Sequence, residues 1–276
     1  MKIAVTGASG LVGYPIARHL VSLGHHVTAL GRARVAGLPH VPWALGERPL
    51  LADCDAVVHA AFAHVPGRYR GGEGDDPAGF LEKNLEGSIR LFEAARHDGA
   101  RVIFLSSRAA YGDYPPGTRL DEGLPANPDT LYGEVKLETE RALADCGVSL
   151  RITGVYGPEV PGRGHKWLEL FERFKHGEVL APRVSTEVHA EDVAKAVALL
   201  IDRPQAPPLL NVSDFLLDHR ALLAIFSELS GVKGRLPEPA DASRVCVMQT
   251  GRLRRLGGSP RGLAGWETVV ASVVRN

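Results

Sequence analysis

The chain has 276 residues, 45% of them apolar, and 32 Lys and Arg stand against 32 Asp and Glu. That length supports a full-sized core without disulfides or structural metal, and the even charge excludes the basic field that holds nucleic acid or an anionic membrane. Cys54, Cys146 and Cys246 lie far apart and the eleven histidines are scattered, which fits a reducing compartment and offers no metal-ligand spacing.

The chain opens on MKIAVTG, where KIAVT (2–6) reads as a strand and the apolar run is too short for the core of a secretory leader. No later run reaches membrane-spanning length, so a cytoplasmic protein is expected. TGASGLVG (6–13) follows, with Gly7, Gly10 and Gly13 at three-residue spacing and Ser9, Leu11 and Val12 between them. Glycines after a strand and at the start of a helix allow a tight turn, close approach to a pyrophosphate and close packing of helix on strand. The free N–H groups of the helix N-terminus then face the anion. Apolar residues at 12, 16, 20 and 23 predict that helix up to Gly24.

HVTAL (26–30) is the second strand, and Gly31-Arg32 stands at its end. A carboxylate there holds the ribose hydroxyls of NAD, whereas an Arg accommodates the 2′-phosphate of NADP. Gly31 brings no carboxylate and Arg32 can grip a phosphate with paired, charge-assisted bonds. NADP is therefore the expected cofactor, with NAD as the alternative. HVPWAL (40–45) is the candidate third strand, and Leu45 at its end is placed with the cofactor site. AVVHAA (56–61), RVIFLS (101–106) and VSLRIT (148–153) are further strands, apolar on both faces as in a parallel sheet covered by helices. Between them, one apolar stripe runs from Leu81 to Ala95 and ends near Gly99; another starts at Asn127-Pro128 and runs to Gly147.

Beyond Tyr156 a Pro/Gly-rich loop leads to a helix at about 166–176, the segment 189–201, a short strand after 208 and a helix around 218–230. The expected class is α/β: a Rossmann-type doubly wound parallel sheet with a small interleaved C-terminal substrate lobe. Residues 1–156 with about 184–205 form the dinucleotide-binding domain, and 157–183 with 206–276 form the lobe.

TLYGEVK (130–136) sets Tyr132 and Lys136 on one face of a helix. With TGASGLVG, VVHAAF (57–62), Asn84 in EKNLEGS, FLSSRAAYG (104–112), LRITGVYGP (150–158) and VHAEDVA (188–194), the chain resembles the extended short-chain dehydrogenase/reductase superfamily, in its NAD-dependent epimerase/dehydratase group. The resemblance implies a catalytic trio of Ser107, Tyr132 and Lys136. A Lys ammonium near the phenol is expected to lower its pKa from about 10 so that Tyr132 serves as a proton shuttle. Lys136 also holds the nicotinamide ribose, and Ser107 donates to the substrate oxygen. The resemblance further places Ala60, Ala61, Phe62, Ser106 and Val155 along the cofactor, and Asn84 inside its helix behind it. His64, Tyr111, Gly154 and Tyr156 are candidate substrate residues, joined by Tyr114 and His165 as pocket candidates. Asp192 reads as a helix-start carboxylate.

Arg108 and Ala109 stand where sugar dehydratases of the group carry an acid pair, so dehydration is disfavoured. Gly154 and Ser185 replace an Asn and an Arg usual in its nucleotide-sugar enzymes. The leading expectation is an NADP-preferring oxidoreductase that interconverts a secondary alcohol and a ketone on a sugar-like compound. The alternatives are a nucleotide-sugar C4-type epimerase and a non-catalytic dinucleotide sensor. The partner is a small molecule, with a possible homodimer through a four-helix contact; no metal, nucleic acid or membrane is expected.

Overall fold

A computed structural model describes residues 1–65 and 71–275 of the chain. The first half alternates strand and helix: β1 (Lys2–Thr6), α1 (Gly13–Ser22), β2 (His26–Gly31), β3 (His40–Pro42), β4 (Ala56–His59), α2 (Pro77–Leu81), a π turn at Glu82–Glu86, α3 (Gly87–Asp98) and β5 (Arg101–Ser107). Then come β6 (Arg119–Leu120), α4 (Leu131–Leu143) and β7 (Gly147–Ile152). The remainder holds β8 (Gly154–Tyr156), α5 (Leu168–Lys175), β9 (Val184–His189), α6 (Ala190–Ile201), β10 (Leu209–Val212), β11 (Phe215–Asp218), α7 (His219–Ser230), β12 (Val247–Met248), α8 (Gly251–Arg255) and α9 (Trp266–Arg275).

Seven strands pair in the order β10-β7-β5-β4-β1-β2-β3, all parallel. Successive side chains of a strand point to opposite faces, so each strand feeds two cores. Ile3 and Val5 of β1 pack with Ile16, Ala17 and Leu20 of α1 and with Val193, Val197 and Leu200 of α6. Ala4, between them, faces Leu91, Phe92 and Ala95 of α3 and Leu143 of α4. Helices on both faces explain why the strands are apolar throughout, as a doubly wound sheet requires. β10, which falls inside the 206–276 segment assigned to the lobe, pairs with β7 and extends this sheet.

A second, three-stranded sheet has the order β11-β9-β8; β9 pairs antiparallel with β11 and parallel with β8. Beside it Tyr156, Trp167, Phe171, Phe174, Leu217, Phe226 and Trp266 form a third core. The sequence reading foresees neither this sheet nor α9.

Two helices also differ from expectation. The helix expected from Asn127-Pro128 begins at Leu131, because Asn127 N donates to Tyr111 O at 2.9 Å and is held in the preceding loop. Thr130 supplies the cap instead, its Oγ1 accepting from Gly133 N at 3.1 Å. The long stripe from Leu81 to Ala95 is not one α-helix but is broken by the π turn that contains Asn84.

Candidate active site

In a parallel sheet every strand ends at the same edge, and a crevice opens where the strand order reverses. β1 lies between β2 and β4, so that reversal falls between β1 and β4. Gly7 leaves β1 with φ +67°, and a Cβ there would lie 2.8 Å from the Ala60 carbonyl carbon and from Ala61 N. A Cβ on Gly13 would lie 2.2 Å from Gly7 O, so glycine is needed at both positions for the turn to fold tightly under α1. No side chain caps the start of α1 and its first turn holds no acidic residue, which leaves its N–H dipoles unopposed. Ser9 and Val12 on this turn are half-buried and Leu11 is exposed. At the end of β2, a Cβ on Gly31 would meet nothing within 4 Å, and Arg32 beside it is exposed. Cradle, open edge and cation together fit a dinucleotide.

A buried polar chain fixes the far wall of this crevice. Thr6 Oγ1 accepts from Ala60 N and Ala61 N, both at 3.1 Å, so its own proton is directed to His59 Nδ1 at 2.8 Å. Nε2 then carries the ring proton and donates to Ser88 Oγ at 2.9 Å, and Ser88 donates to Asn84 O at 2.5 Å. Burial, helped by the charge of Lys136, pushes the His59 pKa down to about 3, so the ring is neutral. Asn84 Oδ1 accepts from Ala63 N at 2.7 Å, and its Nδ2 donates to Ala63 O and Phe80 O at 2.8 and 2.9 Å. Its amide protons are thus committed to backbone. Asn84, expected inside its helix behind the cofactor and counted with the cofactor site, bonds only backbone and clamps the loop that carries Ala60, Ala61 and Phe62.

The trio converges from β5 and α4. The Tyr132 phenol and the Ser107 hydroxyl are hydrogen-bonded, and Ser107 Oγ also accepts from Ala109 N at 3.1 Å. Lys136 is 4% exposed. Its Nζ donates to Leu105 O at 2.8 Å and lies 4.3 Å from the Phe62 ring centroid, 4.7 Å from that of Phe104 and 5.8 Å from that of Tyr132. Burial brings its pKa down to about 7 against the pull of Glu140. The depressed Tyr132 pKa expected from a neighbouring ammonium is not what this arrangement gives: burial raises it, and the bond from Ser107 offsets only part. Desolvation is the larger effect for a phenol buried this deeply, while Lys136 Nζ is bonded to the Leu105 carbonyl.

Glu140, one turn beyond Lys136, is gripped by Arg151 Nε and Nη2 at 2.9 and 2.6 Å. Ser106 Oγ also donates to it. Ser106 is 1% exposed; its side chain serves this ion pair rather than the cofactor. Arg151 in turn lies 4.2 Å from the Tyr111 ring centroid.

Several proposed substrate contacts prove to be core. Tyr111 is fully buried and donates to Asn211 Oδ1 at 2.9 Å. Tyr156 is 1% exposed and stacks on Trp167 with centroids 5.2 Å apart. His165 is buried, its Nδ1 accepting from Trp167 N at 3.2 Å, and the Tyr114 hydroxyl donates to Pro125 O. Aromatic rings in these loops satisfy the apolar interior first. His64 is exposed beside Phe62, with centroids 6.0 Å apart. Leu45 packs on the α3 side of the sheet, and Val155 pairs with Val188 while packing on the α6 side. Asp192 does stand in the first turn of α6, where it accepts from Arg261 N and Nε at 3.1 and 2.9 Å. Sequence reasoning misses Thr6, His59, Ser88, Glu140 and Arg151; the signal was a polar residue in each of three apolar strands, β1, β4 and β7, and a Glu four residues after Lys136.

The sequence pattern described as NAD dependent epimerase/dehydratase family matches residues 3–213. The chain belongs to that family. Relatives include Protein YeeZ of Escherichia coli K12, 32% identical over 76% of this chain and 77% of its own length. A 3-diazoavenalumate denitrifying reductase of a Streptomyces species is also 32% identical, over 78% and 76%. The UDP-glucose 4-epimerase of Thermus thermophilus, solved with NAD, superposes with a TM-score of 0.81 at 26% identity over 100% of this chain and 98% of that one. With epimerases and reductases as its homologues, the chain is an enzyme of the dehydrogenase/epimerase kind. Among the described residues no helix is long and apolar enough to cross a membrane.

Proposed function

We propose that the chain is an NADP-preferring oxidoreductase of the cytoplasm that interconverts a secondary alcohol and a ketone on a sugar-like compound. The observation that carries this reading is the hydrogen-bonded Ser107–Tyr132 pair lying with Lys136 at the carboxyl edge of the sheet, beside the glycine cradle. When bound, the nicotinamide accepts or delivers the hydride. Tyr132 takes the hydroxyl proton during oxidation and returns it during reduction. Ser107 donates to the same oxygen and stabilises the negative charge that develops on it. Lys136, with a pKa of about 7, carries its proton in part at neutral pH and supplies positive charge beside the phenol once turned toward it. Arg32 takes the 2′-phosphate in the open space beside Gly31.

A second reading, a C4-type epimerase, is favoured by relatives such as the UDP-glucose 4-epimerase of Corynebacterium glutamicum, 28% identical over 57% of this chain and 53% of its own length. An epimerase oxidises and re-reduces one carbon and keeps its cofactor. Cofactor that survives purification supports that reading, and consumption of added NADPH supports the oxidoreductase. Self-association through α3 and α4, as the resemblance implies, is read by sedimentation.

Tyr132→Phe should leave the dissociation constant for NADPH within twofold and lower turnover by about 10²–10⁴-fold; near-normal turnover removes Tyr132 from the reaction. Arg32→Ala should weaken NADP roughly tenfold or more and leave NAD unchanged. A parent protein that already binds NAD more tightly than NADP overturns the cofactor choice.

A further inference from the structure

Gly154 opens β8 two residues after β7 ends, at the carboxyl edge where the crevice lies. A Cβ on it would stand 2.2 Å from Lys166 Nζ and 3.0 Å from both carboxylate oxygens of Glu187. The space a side chain at this position would take is therefore filled by an ion pair. Lys166 Nζ donates to Glu187 Oε2, Ser185 Oγ donates to Glu187 Oε1 at 3.1 Å, and Glu187 pairs with Gly154 across β9 and β8.

Such a pair is a poor stabilising device. Removing two charges from water costs more than their attraction usually returns, and an apolar replacement is often as stable or more so. Burial acts against the charged form of both partners, raising the Glu187 pKa and lowering that of Lys166. Ser185 and Lys166 satisfy the carboxylate. The ammonium has three protons, gives one to Glu187, and its side chain is 28% exposed against 3% for Glu187. The Lys166 side chain is thus the more exposed of the two.

The surroundings add positive charge. Arg183, exposed at the edge of β9, acts electrostatically on Lys166, Glu187 and His219. His219 is neutral at pH 7, its pKa pushed to about 4 first by burial and then by Arg183 and Lys166. Asp218 counters part of this charge at His219, so Lys166 and Arg183 face two carboxylates, Glu187 and Asp218. A compact ammonium point charge suits one small anionic group.

We propose that Lys166, braced by Glu187 and Ser185 and given room by Gly154, anchors a carboxylate or phosphate group of the substrate, with Arg183 as an outer attractive charge. This deepens the reading of the site as a sugar-like oxidoreductase and rests on it. The preferred substrate is then a sugar acid or a sugar phosphate, and the anionic group sits on the lobe side of the crevice, remote from the carbon that reacts.

The test uses full-length protein saturated with NADPH and titrated calorimetrically with D-glucuronate, D-glucose 6-phosphate and D-glucose. At least one charged sugar should bind tenfold or more tightly than D-glucose, and the tighter of the two names the anion. The double variant Lys166→Met/Glu187→Met avoids leaving a buried carboxylate unpaired and should erase that preference while NADPH binding stays within twofold of the parent. Gly154→Ala, which drives a methyl group into Lys166, should weaken the charged sugar without changing D-glucose. Equal binding of all three sugars, no binding of any, or an unchanged preference in the double variant overturns the anion site. Failure of the parent protein to bind NADPH sinks the dinucleotide reading instead, so the two failures are distinguished.

Discussion

The crevice at the end of the parallel sheet and the lobe around the second sheet are built on different principles. Around the cradle, backbone approaches backbone: Gly7 against Ala60 and Ala61, Gly13 against Gly7. Buried polar side chains there, Thr6, His59, Ser88 and Asn84, hold loops by hydrogen bonds. The lobe is held by rings, with Phe171 and Phe226 stacked at 4.1 Å and Tyr156 stacked on Trp167. Small displacements ruin the first kind of structure because hydrogen bonds are directional. Apolar packing tolerates change of shape better than loss of volume. A lobe of the second kind can vary its surface for different substrates while the cofactor side stays fixed.

Three changes sharpen or break this contrast. Phe226→Ala removes a buried ring that touches both Phe171 and Phe174 and should cost about 3–5 kcal/mol, seen as a fall in Tm. NADPH affinity measured well below that Tm should stay within twofold. Loss of NADPH binding in the folded variant shows that the regions are one energetic unit. Gly13→Ala should do the reverse: its methyl group collides with Gly7 O, and NADPH affinity should fall by roughly tenfold or more, the scale of one lost charge-assisted hydrogen bond, with little change in lobe fluorescence. Wild-type affinity in that variant refutes the cradle.

The third change is read against pH. The His59 pKa of about 3 in the folded state compares with about 6.5 in an unfolded chain. Between these values the unfolded chain binds the extra proton. The stability carried by the neutral ring is therefore complete above about pH 6.5 and is lost as pH falls toward 3, at up to about 1.4 kcal/mol per pH unit. His59→Gln should be less stable than the parent at pH 7, having lost bonds to Thr6 and Ser88, yet lose stability less steeply between pH 6 and 4. An unchanged slope assigns the acid sensitivity to other groups.

How far the chain could be read in advance differs along the same line. β1, β2, β4, β5 and β7 are visible as short apolar runs because both their faces are covered, and α1 is visible from its period and Gly24, which takes φ +84°. β8, β9 and β11 are hidden: β8 and β11 are only three and four residues long, and β9 sets Ser, Thr, Glu and His among its two valines, so no clear apolar run announces them. The π turn at Asn84 is equally silent, since an extra residue in a helical turn leaves the local apolar stripe nearly intact. Among the site residues, glycines and the Tyr132–Lys136 spacing are legible because backbone geometry and helical period are local properties. Tyr111 and Tyr156 mislead because a ring in a short Gly-containing segment looks the same in sequence whether it faces solvent or an interior.

The sequence by itself determined the tight glycine turn before α1, the alternation that builds a parallel sheet, and the placing of a phenol and an amine on one helical face, all set by residues close together in the chain. Only the tertiary structure decided that Lys136 rests on Leu105 O, that Asn84 and Ser106 serve backbone and ion pair, and that Lys166 and Glu187 occupy the space beside Gly154. These contacts join segments well separated along the chain, and the balance of desolvation and pairing that fixes each charge exists only once those segments have met.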